Sequence, residues 1–244
     1  GALHYLPFAA LHDGRNFLAA EHSLRYLPSA SVLKYLKPPR TQRPESVLIF
    51  GNPDLGNPKL DLPNAEIEAK AIADLVPGSE LLVRKKASEA AFKQFAPSFR
   101  YLHIASHGQF NASNALDSRL LLSQDGGQDG GQDGSLTVGE LYSVRLDVDL
   151  TTLSACETGL GKVLSGDDVV GLTRGFLYAG SSSVVASLWE VDDLATAELM
   201  KAFYTRLKAG VPQKLALREA QMEVRKSFPH PFFWAAFFIT GQGS

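Results

Sequence analysis

Cysteine is almost missing from this chain: Cys156 is the only one among 244 residues. One thiol excludes an intrachain disulfide, which separates the protein from disulfide-stapled secreted scaffolds and suits a reducing compartment, so a cytoplasmic protein is expected. Long apolar runs are missing too. No stretch reaches the roughly 18 consecutive apolar residues of a membrane-spanning helix, and no apolar leader core is present. Neither a basic run nor an alternation of basic and aromatic residues occurs, and the formal net charge is −2. There is thus no electrostatic case for nucleic acid or a membrane surface as partner. An initiator methionine is lacking as well: the chain starts at Gly1 and is apolar almost at once, so it is expected to be a C-terminal piece of a longer protein.

What is present is the composition of an ordinary globular protein, 45% hydrophobic and 20% charged, enough for one sizeable core in one domain over residues 1–244. Leu3 to Leu11 reads as a strand or short helix, and His22 to Leu36 as a strand, a break at Pro28-Ser29 and a short helix. Pro38, Pro39 and Pro44 then mark a surface linker. From Ser46 an α/β rhythm sets in. Strands are expected at Val47–Phe50, Leu81–Val83, Tyr101–Ser106, Leu150–Ser154, Ser183–Trp189 and Ala235–Thr240. Helices are expected from a cap at Asn64 to Leu75, from Ser88 to before Pro97, from Ser165 or Asp167 to Gly180, and over about 194–208 and 213–227. Such alternation predicts an α/β fold with a mostly parallel central sheet flanked by helices on both faces. The low-complexity run SQDGGQDGGQDGS, residues 123–135, cannot bury a core and reads as a solvated, flexible hairpin loop whose length costs little. It does not match the nonapeptide pattern of Gly/Asp calcium repeats. No metal and no cofactor are expected.

The stretch LTTLSACETGLGK, residues 150–162, carries the thiol. Leu150 to Ser154 suit a buried strand, Cys156 sits at its C-terminal end, and Gly159 and Gly161 open a loop. Ligands of open α/β sheets bind beyond the carboxyl ends of the strands. The strand Tyr101–Ser106 ends the same way, in His107 and Gly108, which makes His107 and Cys156 candidates for a pair. Taken singly, Cys156 reads equally well as a small buried hydrophobe, and His107 as a satisfied core histidine. His103 shares the strand with His107, and for it the core role is preferred.

Several segments together resemble the CHAT domain, a caspase- and separase-like cysteine peptidase domain. They are the His107-Gly108 strand end, Ser154-Ala155-Cys156-Glu157-Thr158-Gly159, Gly166-Asp167-Asp168, and Ala186 through Asp193. LPFAALHDG, LPNAEIEAKAI, AELMKAFYTRL and HPFFWAAFFITG are similar to family sequence too, so the resemblance covers nearly the whole chain. Two departures stand out: the DGGQ loop is longer than the usual turn, and the family's opening strand before Ala2 is missing. The resemblance implies a caspase-like fold and a His107/Cys156 dyad that cleaves specific protein targets. The spacing of about 50 positions is that of caspases, although their Q-A-C signature is absent. It also implies an oxyanion site made by the backbone N–H groups of Gly108 and Cys156, and an N-terminal region, often tetratricopeptide repeats, or a regulatory partner outside this chain. No third residue orienting the histidine is named. The alternative is a catalytically silent module that binds a partner through the crevice or a sheet edge.

Substrate preference is legible only in outline. Clan relatives that cut after Arg or Lys place carboxylates in the pocket for that side chain. Here Glu190, Asp192 and Asp193 follow a strand expected to end on the same sheet edge as Cys156 and His107. They are candidates for a pocket that receives a basic residue. Asp192 and Asp193 read equally as caps of the next helix.

Overall fold

The computed structural model describes residues 6–27, 29–34, 36, 45–109, 111, 113–125, 133–154, 167–189 and 192–244, with backbone alone at 33 and 167–170. Cys156, Glu190 and the proline linker at 38–44 lie outside the described residues, as does the middle of the DGGQ run.

The strands are β1 (Val47–Pro53), β2 (Glu80–Arg84), β3 (Tyr101–Ala105), β4 (Gly108–Gln109), β5 (Arg119–Leu121), β6 (Ser135–Thr137), β7 (Leu150–Leu153), β8 (Ser183–Ser187) and β9 (Phe237–Gly241). The helices are α1 (Leu18–Glu21), α2 (Pro63–Leu75), α3 (Glu89–Phe95), α4 (Val138–Leu141), α5 (Asp167–Ala179), α6 (Asp193–Lys208) and α7 (Gln213–Ser227). Among the described residues, six strands form the main sheet in the order β2-β1-β3-β7-β8-β9. All neighbours are parallel except β8 and β9. The chain moves outward from β1 to β2 and then back through β3, β7 and β8. The order therefore reverses between β1 and β3, the switch point at which such sheets open a crevice beyond their strand ends.

Alternation along the strands sends two sets of side chains to opposite faces. Val47, Ile49, Tyr101, Leu150 and Val185 pack with the buried residues of α2, α6 and α7. Leu48, Phe50, Leu102, Ile104, Val184 and Ala186 pack with Phe92 of α3, Phe176 of α5 and the small antiparallel sheet β4-β5-β6. β5 and β6 are the two arms of the hairpin that carries the DGGQ run. Among the described residues no helix is long and apolar enough to cross a membrane.

Three local devices fix α2, the helix nearest the switch point. Its start differs from expectation: Pro63 occupies the first turn, where its missing N–H costs nothing, and Asn64 already lies inside the helix. The orphan N–H of Leu62 is taken instead by Oδ1 of Asn52 at 2.8 Å. Asn52 reaches it from a β1 bulge with a φ of 48°. Finally, α2 lies directly on β1 at Gly51, where an added Cβ would stand 2.5 Å from the Cβ of Ala69 and 3.3 Å from the carbonyl oxygen of Ala65. Gly51→Ala should therefore push α2 outward and cost about 1–3 kcal/mol. The urea midpoint should fall while the slope stays constant; an unchanged midpoint would mean that the helix can give way freely.

Candidate active site

Two neighbouring strands deliver the site. β3 and β7 pair in register from Tyr101 opposite Leu150 to Ile104 opposite Leu153, and the Ser154 N–H continues the ladder to the carbonyl of Ile104 at 3.0 Å. His107 thus leaves β3 on the edge where the chain leaves β7 toward Cys156. The strand end is tied on its other side by Ser106, whose hydroxyl donates to the carbonyl of Leu121.

His107 is buried, at 2% exposure. Its Nε2 stands 2.8 Å from the carbonyl oxygen of Leu60, in the connection between β1 and α2. A carbonyl only accepts, so Nε2 carries the proton and a neutral ring keeps its lone pair on Nδ1. Nδ1 is itself buried and has no partner among the described residues. The orienting group absent from the sequence reading is therefore a main-chain oxygen, which no residue type advertises. Gly108 follows directly and opposes Leu120 in the antiparallel pairing. Because the Leu121 N–H donates to the carbonyl of His107 at 2.9 Å, the Gly108–Leu120 pair is of the non-hydrogen-bonded kind, and the Gly108 N–H points away from β5.

A cleft of about 130 Å³ opens at this edge, lined from the α2 side by Asp61, Asn64 and Glu68, from the strand ends by Ser106 and Ser154, and from α6 by Asp193 and Thr196. Three lining groups are carboxylates, and their surroundings differ. Asp61 is ion-paired with Arg84, and that hydrogen bond, helped by Asn52, holds its carboxyl below the usual range. Glu68 is buried and has its Oε1 3.0 Å from Nε2 of His103. Asp193 is exposed and is held by an uncharged partner, Nδ2 of Asn64, at 2.5 Å. Asp192, by contrast, caps α6: its Oδ1 accepts from the N–H groups of Leu194 at 3.1 Å and Ala195 at 3.0 Å. Among the described residues no cluster of three His, Cys, Asp or Glu side chains offers a metal site.

His103 lies on the α2/α6 face of β3 with no exposure at all. Its Nδ1 is 3.2 Å from the hydroxyl of Tyr204, and Tyr204 donates to Oγ1 of Thr152 at 3.1 Å. Burial pushes the phenol of Tyr204 well above its ordinary range, so it remains a hydroxyl. The partner that sequence reasoning missed is Glu68. Its signal was present: in LPNAEIEAKAI, Glu68 occupies the same helical stripe as Ile72, a charged residue in a core position.

The family model of the CHAT domain matches residues 1–242. This chain belongs to the CHAT family. Tetratricopeptide repeat protein 28 from mouse and from human is 28% and 29% identical to this CHAT domain, covering 99% of it; the chain spans only 12% of either relative's length. Among solved structures, separase from Saccharomyces cerevisiae in complex with securin is similar over 98% of this chain and 15% of that one, with a TM-score of 0.63 at 19% identity. The Arg-specific cysteine proteinase gingipain R is similar over 82% of this chain and 46% of its own, with a TM-score of 0.51 at 9% identity. The CHAT domain thus has the caspase-like fold of these peptidases, as its strand order and crevice indicate.

Proposed function

We propose that this CHAT domain is a cysteine endopeptidase acting through His107 and Cys156 on protein targets, cutting after a basic residue. One observation carries it: a buried histidine is locked by Nε2–H on the Leu60 carbonyl, and its Nδ1, at the strand edge that leads to the only thiol, has no partner among the described residues. In the reaction, Nδ1 takes the thiol proton, and the thiolate adds to the scissile carbonyl carbon. The N–H groups of Gly108 and Cys156 hold the resulting oxyanion. His107 then gives its proton to the leaving amine, the C–N bond breaks, and a thioester remains. Water, deprotonated by His107, cleaves the thioester and restores the thiol.

The basic preference is supported by the charge balance of the cleft. Arg84 offsets Asp61 and His103 faces Glu68, whereas Asp193 meets only an amide among the described residues. Asp193 is therefore the carboxylate available to an incoming guanidinium or ammonium group. A positional peptide library tests this. Asp193→Asn should reduce the preference for Arg and Lys roughly tenfold to a hundredfold, the worth of one charged hydrogen-bonded contact. Asp192→Ala should leave the preference intact and cost about 1 kcal/mol of stability as a lost cap. An unchanged preference in Asp193→Asn would remove that carboxylate from the pocket, and a library with no cleaved member would favour the partner-binding module instead.

A further inference from the structure

The proposed dyad chemistry makes no use of a buried ionisable pair, Glu68 in the cleft wall and His103 behind it. Glu68 bridges two sites. On one side its Oε1 faces Nε2 of His103 at 3.0 Å, an ion-pair contact whose geometry is not that of an aligned hydrogen bond, and neither atom has another partner among the described residues. On the other side its Oε2 accepts the hydroxyl of Ser154 at 3.1 Å. Ser154 is the last described residue before Cys156, two positions on. The groups facing His103 are Glu68 from α2, Tyr204 from α6 and, behind Tyr204, Thr152 from β7; Tyr101 shares the strand face. Since Tyr204 donates to Thr152, its oxygen accepts from Nδ1–H of His103, which turns Nε2 toward the carboxylate. The ring and the carboxylate then face each other at 3.0 Å. A carboxylate alone at this depth would be costly. Compensated from beneath, it keeps a full acceptor for Ser154.

We propose that Glu68 is a positioning residue for the nucleophile: held by buried His103, it anchors the Ser154 hydroxyl and so fixes the end of β7 two positions before Cys156. The pair acts on the thiol through Ser154 and not through the substrate. The inference builds on the proposed dyad, but its test requires no cleavage.

Because Cys156 is the only cysteine, alkylation of the folded protein by iodoacetamide, followed against pH well below the melting temperature, reads one thiol. Ser154→Ala and Glu68→Gln should each slow alkylation at neutral pH by about tenfold, the scale of one hydrogen bond to a charged group, and shift the profile to higher pH. In the double variant the loss should stay near that of the larger single change, because both act through one contact. Ser154→Thr, which keeps the hydroxyl, should retain the wild-type profile. A purely structural pair would lower the melting temperature and leave the profile where it was. Unmoved profiles, losses that multiply in the double variant, or a wild-type thiol that reacts only on unfolding would each overturn the proposal. Should Glu68→Gln fail to fold, Ser154→Ala against Ser154→Thr decides it. A chain that cleaves no peptide but shows these shifts would retain Glu68 as a positioning residue and lose only the peptidase reading.

Discussion

Peptide cleavage should disappear in Cys156→Ala and fall by roughly a hundredfold to ten-thousandfold in His107→Ala, the range associated with losing one general acid–base. Cys156→Ala should disturb folding little, because removing one sulfur deletes little volume. His107→Ala removes a ring that is 2% exposed and strands the Leu60 carbonyl it bonds at 2.8 Å, so it should cost about 1–3 kcal/mol and is assayed well below its melting temperature. His107 is asked to accept the thiol proton on Nδ1, so His107→Ala should also move alkylation of Cys156 to higher pH. The check is turnover of a fluorogenic peptide alongside that alkylation profile. Wild-type turnover in either variant would remove the dyad; an unchanged profile in His107→Ala would mean that the ring does not influence the thiol.

The largest effect on stability is expected from breaking the Glu68–His103 pair one side at a time. His103→Leu leaves a carboxylate buried to 6% exposure facing an apolar side chain. The hydroxyl of Ser154 would be its only hydrogen-bond donor among the described residues. A stranded buried charge of this kind typically costs 3–5 kcal/mol. Replacing both partners, as in Glu68→Met with His103→Leu, should cost far less, because the two desolvation penalties vanish together. Urea titrations of the two singles and the double measure the difference. If the double variant loses as much as the singles combined, the two residues are independent and not a compensated pair.

The frame of this fold was readable because each element announces itself locally. Val47 to Phe50 and Val184 to Ala186 are apolar runs inside strands, Ser88 is a cap followed by a helix-forming run, and Pro77-Gly78 form the turn after α2, with a φ of 79° at Gly78. At the candidate site, the sequence names only residue types that carry chemistry by themselves, such as His107 and Asp193. What escaped depends on tertiary contact. The orienting oxygen belongs to Leu60, and any residue there would offer the same carbonyl. Asn64 looks like a cap, but Pro63 and the distant Asn52 take over the start of α2 and leave its amide for Asp193. His103 reads as a core histidine because nothing on its own strand reveals that a glutamate on α2 will face it. Glu68 was the visible clue, a charge on an apolar helical stripe that only a buried partner can justify.

The most direct test of the proposed chemistry is intact-mass and peptide-mapping analysis after treatment with a thiol-directed peptidyl acyloxymethyl ketone ending in arginine. One adduct on Cys156 is predicted at neutral pH, strongly reduced in His107→Ala and slowed in Asp193→Asn when compared with a neutral-ended probe. Absence of the adduct from the folded wild-type protein, or labelling of Cys156 at the same rate without His107, would contradict it.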